Sequence, residues 1–333
     1  MQDIAAHLKP DSENKVLNLL KGLACIGVVF THIRFPGTIG DIVWKLSQFA
    51  VPVFLMVSGF FAFGKDETVI KRRLIKILGI LIWGYACFFA YESFLHILSG
   101  SYKEWIIQNY SWKTPVNYIV FCTIDFAILL WYLVAMVETY FVWFFIVKHK
   151  QERKTFWAIP LLFGLRIILL IYCERMDLPW MYKVNFLTGA APYFLLGYFI
   201  RSKGSFFASI RSTLLIVLII LGGGMSVTPM FFDTIPDFSC IGLIIYSASI
   251  FILATKVPNK SYWDHMEYIG KKLSLNVYIF HIIIFGILNL AGKHLLHIDL
   301  RAGLLGWCLP IFVAVLTICF AQLLEMLRIC RRK

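Results

Sequence analysis

The stretch VLNLLKGLACIGVVFTHIRF, Val16 to Phe35, decides how this chain is read. It is apolar enough to enter a bilayer, yet it carries Lys21 near one end and His32 near the other. A Lys at the centre of a membrane helix costs about 3 kcal/mol on insertion scales, and ionisable groups kept at such depth mark a pathway or a site. The two stand eleven positions apart. At about 100° and 1.5 Å per residue that is three turns, which puts both within about 20° of one face and roughly 16 Å apart in height. Both are therefore expected to look onto one vertical groove. The structural alternatives are a Lys21 that snorkels to the headgroups and a His32 that bonds a carbonyl.

Working outward, the 333 residues are 59% hydrophobic and only 15% charged, with mean hydropathy +0.76. Soluble domains carry about 25% charge. Apolar runs long enough to cross about 30 Å of hydrocarbon recur along the chain and leave no block the size of a soluble domain. The expected fold is an all-α integral membrane protein of about ten transmembrane helices. The spans are placed at 15–33, 42–63, 75–98, 126–147, 156–173, 186–200, 212–232, 238–255, 273–292 and 302–327. They form one membrane domain, 15–327, between a tail of 1–14 and a basic tail of 328–333. No cleavable leader is expected, because the first apolar run is followed by RFPGTIGD rather than a small-residue cleavage site.

Orientation follows from Lys and Arg. With the N-terminus inside, the segments GKDETVIKRR, KHKQERK, RSKGSFFASIR, TKVPNKSYWDHMEYIGKK and RICRRK all fall on the cytoplasmic side and hold most of the basic residues. Both termini are then cytoplasmic. A net charge of +13 spread over such loops reflects topology, so nucleic acid is not expected as a partner. The eight cysteines form no CxxC, which argues against a metal site or a disulfide frame. Residues 99–125, with Trp105, Tyr110, Trp112 and Tyr118, fit either an outer aromatic belt or a lid over an acceptor site. LGGGMS, Leu221 to Ser226, reads as close helix packing.

The chemistry-bearing residues are few. His32 can take a proton near neutral pH, and apolar surroundings would keep it neutral and basic. In IKRRLIKIL, Arg73 and Lys76 are three apart on one helical face beside Arg72, a cluster able to hold an anionic cytoplasmic ligand. VPVFLMVSGFF places Ser58 and Gly59 close to that cluster in sequence, and Pro52 is a candidate kink. Glu92, Glu138, Arg166 and His281 are polar groups within spans. Arg166 and Glu138 could neutralise one another, or Glu138 could orient or reprotonate a catalytic His.

The motifs LNLLKGLACIGVVFTHI, VPVFLMVSGFF, KRRLIKIL, LWYL, APYFLLGYFIR and IGKKLSLNVYIFH, in this order, resemble the bacterial membrane acyltransferase-3 family over essentially the whole chain. The resemblance implies a ten-helix domain that uses acyl-CoA, generally acetyl-CoA, to acylate extracytoplasmic acceptors such as lipopolysaccharide O-antigen, capsule or peptidoglycan sugars. The family's first-helix pattern, Arg then His after ten residues, falls on Lys21 and His32. Its Arg-x-x-Arg falls on Arg73 and Lys76. Both departures keep the charge and lose the planar fork of Arg.

The resemblance further implies that CoA phosphates sit at Arg72, Arg73 and Lys76 near Ser58, and that the pantetheine arm rises along the face shared by Lys21 and His32. His32 then acts as general base on a sugar hydroxyl or as transient acyl carrier, with Glu138 and His281 as orienting or relaying partners. No metal is implied. The expected partners are acetyl-CoA, a polysaccharide or lipid-linked glycan, and membrane lipids, with homo-oligomerisation left open. The expected location is a bacterial inner membrane. The chain reads as a standalone member without a C-terminal esterase-like domain. A secondary transporter, or a carrier serving a separate transferase, is the competing reading.

Overall fold

The computed structural model describes residues 14–111, 114–123, 125–178, 180–183, 185–232 and 239–330. Residues 1–13 of the expected tail, Trp112, Lys113 and Ile124 of the outer segment, the side chains of Ile329 and Cys330 and residues 331–333 lie outside them. No strand occurs among the described residues, and the described cysteines form no disulfide.

Helix α1 runs unbroken over Lys15–His32. Asn14 starts it by accepting the Leu17 amide on its side-chain oxygen at 2.8 Å, satisfying one of the donors a helix leaves open at its start. The expected second span is two helices, α2 Gly37–Ser47 and α3 Ala50–Ala62. Pro52 accounts for the interruption. A proline ring clashes with the carbonyl four residues back, which here is Gln48, so the break falls there and Pro52 sits in the tolerated first turn of α3.

Helix α4, Glu67–Leu98, starts eight residues ahead of the expected span because Asp66 caps it, accepting from the Val69 amide at 2.9 Å. Arg72, Arg73 and Lys76 therefore all lie inside the helix. Then follow α5 Tyr102–Asn109, α6 Thr114–Val120, α7 Trp131–Lys148, α8 Ala158–Arg175, α9 Ala191–Ser202, α10 Gly204–Ser209, α11 Ser212–Val227, α12 Ser239–Lys256, α13 Asp264–Tyr268, α14 Ser274–Ala291 and α15 Gly303–Cys330. Single π-helical turns join α13 to α14 at Ile269–Leu273 and precede α9 at Phe186–Ala190.

Nine helical stretches among the described residues are long and apolar enough to cross a membrane. Each overlaps one expected span. The remaining span, 186–200, is the short α9 with its preceding π turn. The chain is an all-α, multi-pass integral membrane protein.

It divides into two compact units, one of the described residues up to Phe54 with those from Gly204 onward, the other Leu55–Lys203. In the first, Cys25 and Val29 of α1 and Ile33 just after it pack with Leu273 at the end of the π turn, Val277 of α14 and Leu309, Val313 and Ala314 of α15. Here α1 touches the α13–α14 junction backbone to backbone. A Cβ on Gly22 would stand 2.2 Å from the Met266 carbonyl oxygen, and one on Gly270 would stand 1.9 Å from that of Asn18. Gly222 and Gly242 bring α11 and α12 together in the same way, as LGGGMS implied.

In the second unit, α4 lies on α7, and α3 crosses α9 at a reciprocal pair of glycines. A Cβ on Gly59 would meet the Phe194 carbonyl oxygen at 1.8 Å, and one on Gly197 would meet that of Met56 at 2.0 Å. Gly197→Ala is expected to cost about 1–3 kcal/mol through overpacking, read as a lower unfolding temperature in detergent. Gly79→Ala, where nothing lies within 4 Å, adds the same methyl and should not lower it. Trp105 of α5 is buried against Phe89 and Phe126 and stacks on His96, with ring centroids 5.1 Å apart. Part of the expected outer belt is thus an internal aromatic cluster.

Candidate active site

His32 is the last residue of α1, where the backbone leaves the helix for an extended conformation at Ile33. Its side chain reaches the protein surface there, because the helix ends beneath it. The enclosed imidazole is His281, with no exposed surface. The core stripe of α14 runs Val277, Ile284, Phe285, Leu288, and His281 stands in it at helical spacing. The two rings are 5.3 Å apart between centroids and tilted by 47°. His281 Nδ1 lies 3.0 Å from the Val277 carbonyl oxygen, and its Nε2 is buried without a hydrogen-bond partner.

Lys21 lies three turns from His32 on the same continuous helix. The groove expected along their shared face is not there. Cys25, Val28 and Val29 occupy the intervening turns and are buried, Cys25 and Val29 within the core with α14 and α15. Heptad-like spacing put apolar residues on the same face as the two polar ones, and the fold used that face for packing.

In the other unit the basic cluster of α4 splits by environment. Arg72 and Lys76 are exposed, whereas Arg73 is half-buried and donates from Nη1 to the Phe61 carbonyl at 2.9 Å. Arg73 thereby satisfies a carbonyl that the end of α3 leaves open. It also hydrogen-bonds Tyr140 of α7, whose hydroxyl lies 3.5 Å from the Ser58 carbonyl oxygen, and Ser58 in turn meets Tyr132. Arg201 of α9 reaches the same end of α3, its guanidinium 5.0 Å from the Phe60 ring centre. Sequence reasoning missed Tyr140 and Arg201. Arg201 stands inside the quoted motif APYFLLGYFIR and Tyr140 follows LWYL on the same helix, but only long-range packing shows that both reach the end of α3, at Phe60 and at Ser58.

Glu138 and Arg166 do not pair, as one expectation had it. Glu138 accepts from the Cys122 thiol at 3.1 Å, and Arg166 donates to the Thr188 carbonyl at 3.2 Å. The π turn explains the second bond, since widening a helix by one residue turns carbonyls out of the regular ladder. Cys122 reaches Glu138 from a left-handed turn, φ 52°, which no periodicity signals. Glu92 lies 3.9 Å from His96, one helical turn along α4. No group of His, Cys, Asp and Glu able to hold a metal occurs among the described residues.

A family model described as an acyltransferase domain, of the acyltransferase-3 type, matches residues 14–326. The chain belongs to that family and is a membrane acyltransferase. Comparisons with curated proteins and with solved structures each gave no significant match.

Proposed function

We propose that the chain is a transmembrane O-acetyltransferase of the bacterial inner membrane. It would move an acetyl group from cytoplasmic acetyl-CoA to a hydroxyl of a cell-surface polysaccharide, such as lipopolysaccharide or capsule, or of its lipid-linked precursor. The observation that carries this is an exposed imidazole at the end of a membrane helix in a chain covered by an acyltransferase family over residues 14–326. The catalytic domain is 15–327, with cytoplasmic tails 1–14 and 328–333.

His32 takes the proton of the acceptor hydroxyl through an unprotonated ring nitrogen as that oxygen attacks the thioester carbonyl. The new C–O bond forms, the C–S bond breaks, and the proton passes from His32 to the CoA sulfur. Lys21 supplies positive charge nearer the donor side. The exposed Arg72 and Lys76 hold CoA phosphates, while Arg73, committed to Phe61 and Tyr140, positions Ser58 at the end of α3. Glu138 serves as an orienting or relaying group.

Proteoliposomes given labelled acetyl-CoA on one face and glycan on the other should acetylate the glycan, seen as an acetyl-sized mass increase. Consumption of acetyl-CoA with modification only when a second protein is added would replace this reading by that of a carrier. Arg72→Ala and Lys76→Ala should each raise KM for acetyl-CoA about tenfold, the loss of one charge-assisted contact, with kcat and unfolding temperature little changed. Arg73→Ala should instead lower the unfolding temperature, because it strands the Phe61 carbonyl.

A further inference from the structure

A carbonyl oxygen only accepts, so the nitrogen of His281 that bonds the Val277 carbonyl must carry the hydrogen. In the neutral ring Nε2 is then a bare lone pair. It is buried, without a partner, on a side chain with no exposed surface, in an otherwise apolar stripe. Leaving such an acceptor unsatisfied is costly, and apolar side chains of similar size would fill the space at no such cost. The nearest ring contact of His281 is His32, at 5.3 Å between centroids. At that separation facing ring nitrogens come within hydrogen-bond reach when the exposed ring turns about its own axis.

We propose that His281 is a positioning residue: its Nε2 lone pair accepts the N–H of His32, which fixes the His32 tautomer and leaves the other His32 nitrogen unprotonated and outward. The arrangement supports the imidazolium that His32 becomes when it takes a proton, because the hydrogen bond to His281 strengthens with that charge. Val277, through its carbonyl, sets the direction of the whole chain of bonds. This rests on His32 being the base proposed above.

The test separates the two ideas. Diethyl pyrocarbonate acylates unprotonated imidazole nitrogens, so its rate at His32, followed by peptide mass mapping of the full protein in detergent, reports the exposed lone pair without any enzymatic turnover. His281→Leu should slow both this reaction and acetyl-CoA turnover by about tenfold to a hundredfold, the range of one hydrogen bond to a charged group, with KM for acetyl-CoA unchanged. His281→Gln, whose side-chain oxygen can accept in place of Nε2, should recover most of both.

Wild-type His32 reactivity in a folded His281→Leu protein would overturn the proposal. Should that variant not fold, ring nitrogen NMR of histidine-labelled wild-type protein decides. An unprotonated, hydrogen-bonded Nε2 on His281 supports the pairing, and a protonated Nε2 overturns it. If wild-type protein shows no acetyl-CoA turnover while the reactivity and NMR results hold, the catalytic reading fails and the pairing stands.

Discussion

Alanine in place of His32 is expected to lower acetyl transfer to a glycan hydroxyl by about 10²–10⁴-fold, the usual contribution of a placed general base. The residue is the last of α1, so its own packing contributes little, but its removal takes away the donor proposed for the buried His281 Nε2 and should cost about 1–3 kcal/mol. His32→Gln, whose amide can still donate to His281, should recover the unfolding temperature without recovering transfer. A structural histidine would regain both, whereas a base regains stability alone. The measurement is transfer in proteoliposomes alongside thermal unfolding of the same preparations. Transfer at the wild-type rate would remove His32 from the chemistry.

The second large effect is expected at Gly22. The Cβ of any other residue would lie 2.2 Å from the Met266 carbonyl oxygen and 2.9 Å from the Met266 side chain, and the backbone partner has no rotamer by which to retreat. Gly22→Val should therefore force α1 away from the α13–α14 junction. Overpacking of this kind costs about 1–3 kcal/mol, and two branched methyls at a backbone contact belong at the upper end. Activity should fall further than stability, because the same movement separates His32 on α1 from His281 on α14. A Gly22→Val protein with wild-type transfer and unfolding temperature would show that α1 is not held by this contact.

Much of the architecture was legible because a membrane leaves few options for backbone polar groups, and long apolar runs announce the helices that satisfy them. The departures have local causes. Asp66 extended α4 below its apolar run, Pro52 split one span into two helices, and a π turn with a short helix stood where a full span was expected. At the site, His32 and His281 were both identifiable as ionisable groups within spans. Their pairing was not, since they stand 249 positions apart in the chain and helical periodicity carries no information across that distance. The groove failed for the opposite reason: periodicity placed Lys21 and His32 on one face correctly, but could not say that Cys25, Val28 and Val29 would be buried between them.

The π turn at Ile269–Leu273 has a consequence for how this protein can change over evolutionary time. A π turn holds one residue more than an α turn, so it sets the rotational phase of everything after it in the helix. Deleting a single residue there would turn α14 by about 100°, swing His281 out of its stripe and bring a neighbour to face His32. The chain length of this junction thus constrains descendants as firmly as the identity of the histidine does. A one-codon insertion or deletion would have to be answered by another nearby before the lineage recovered its two facing imidazoles.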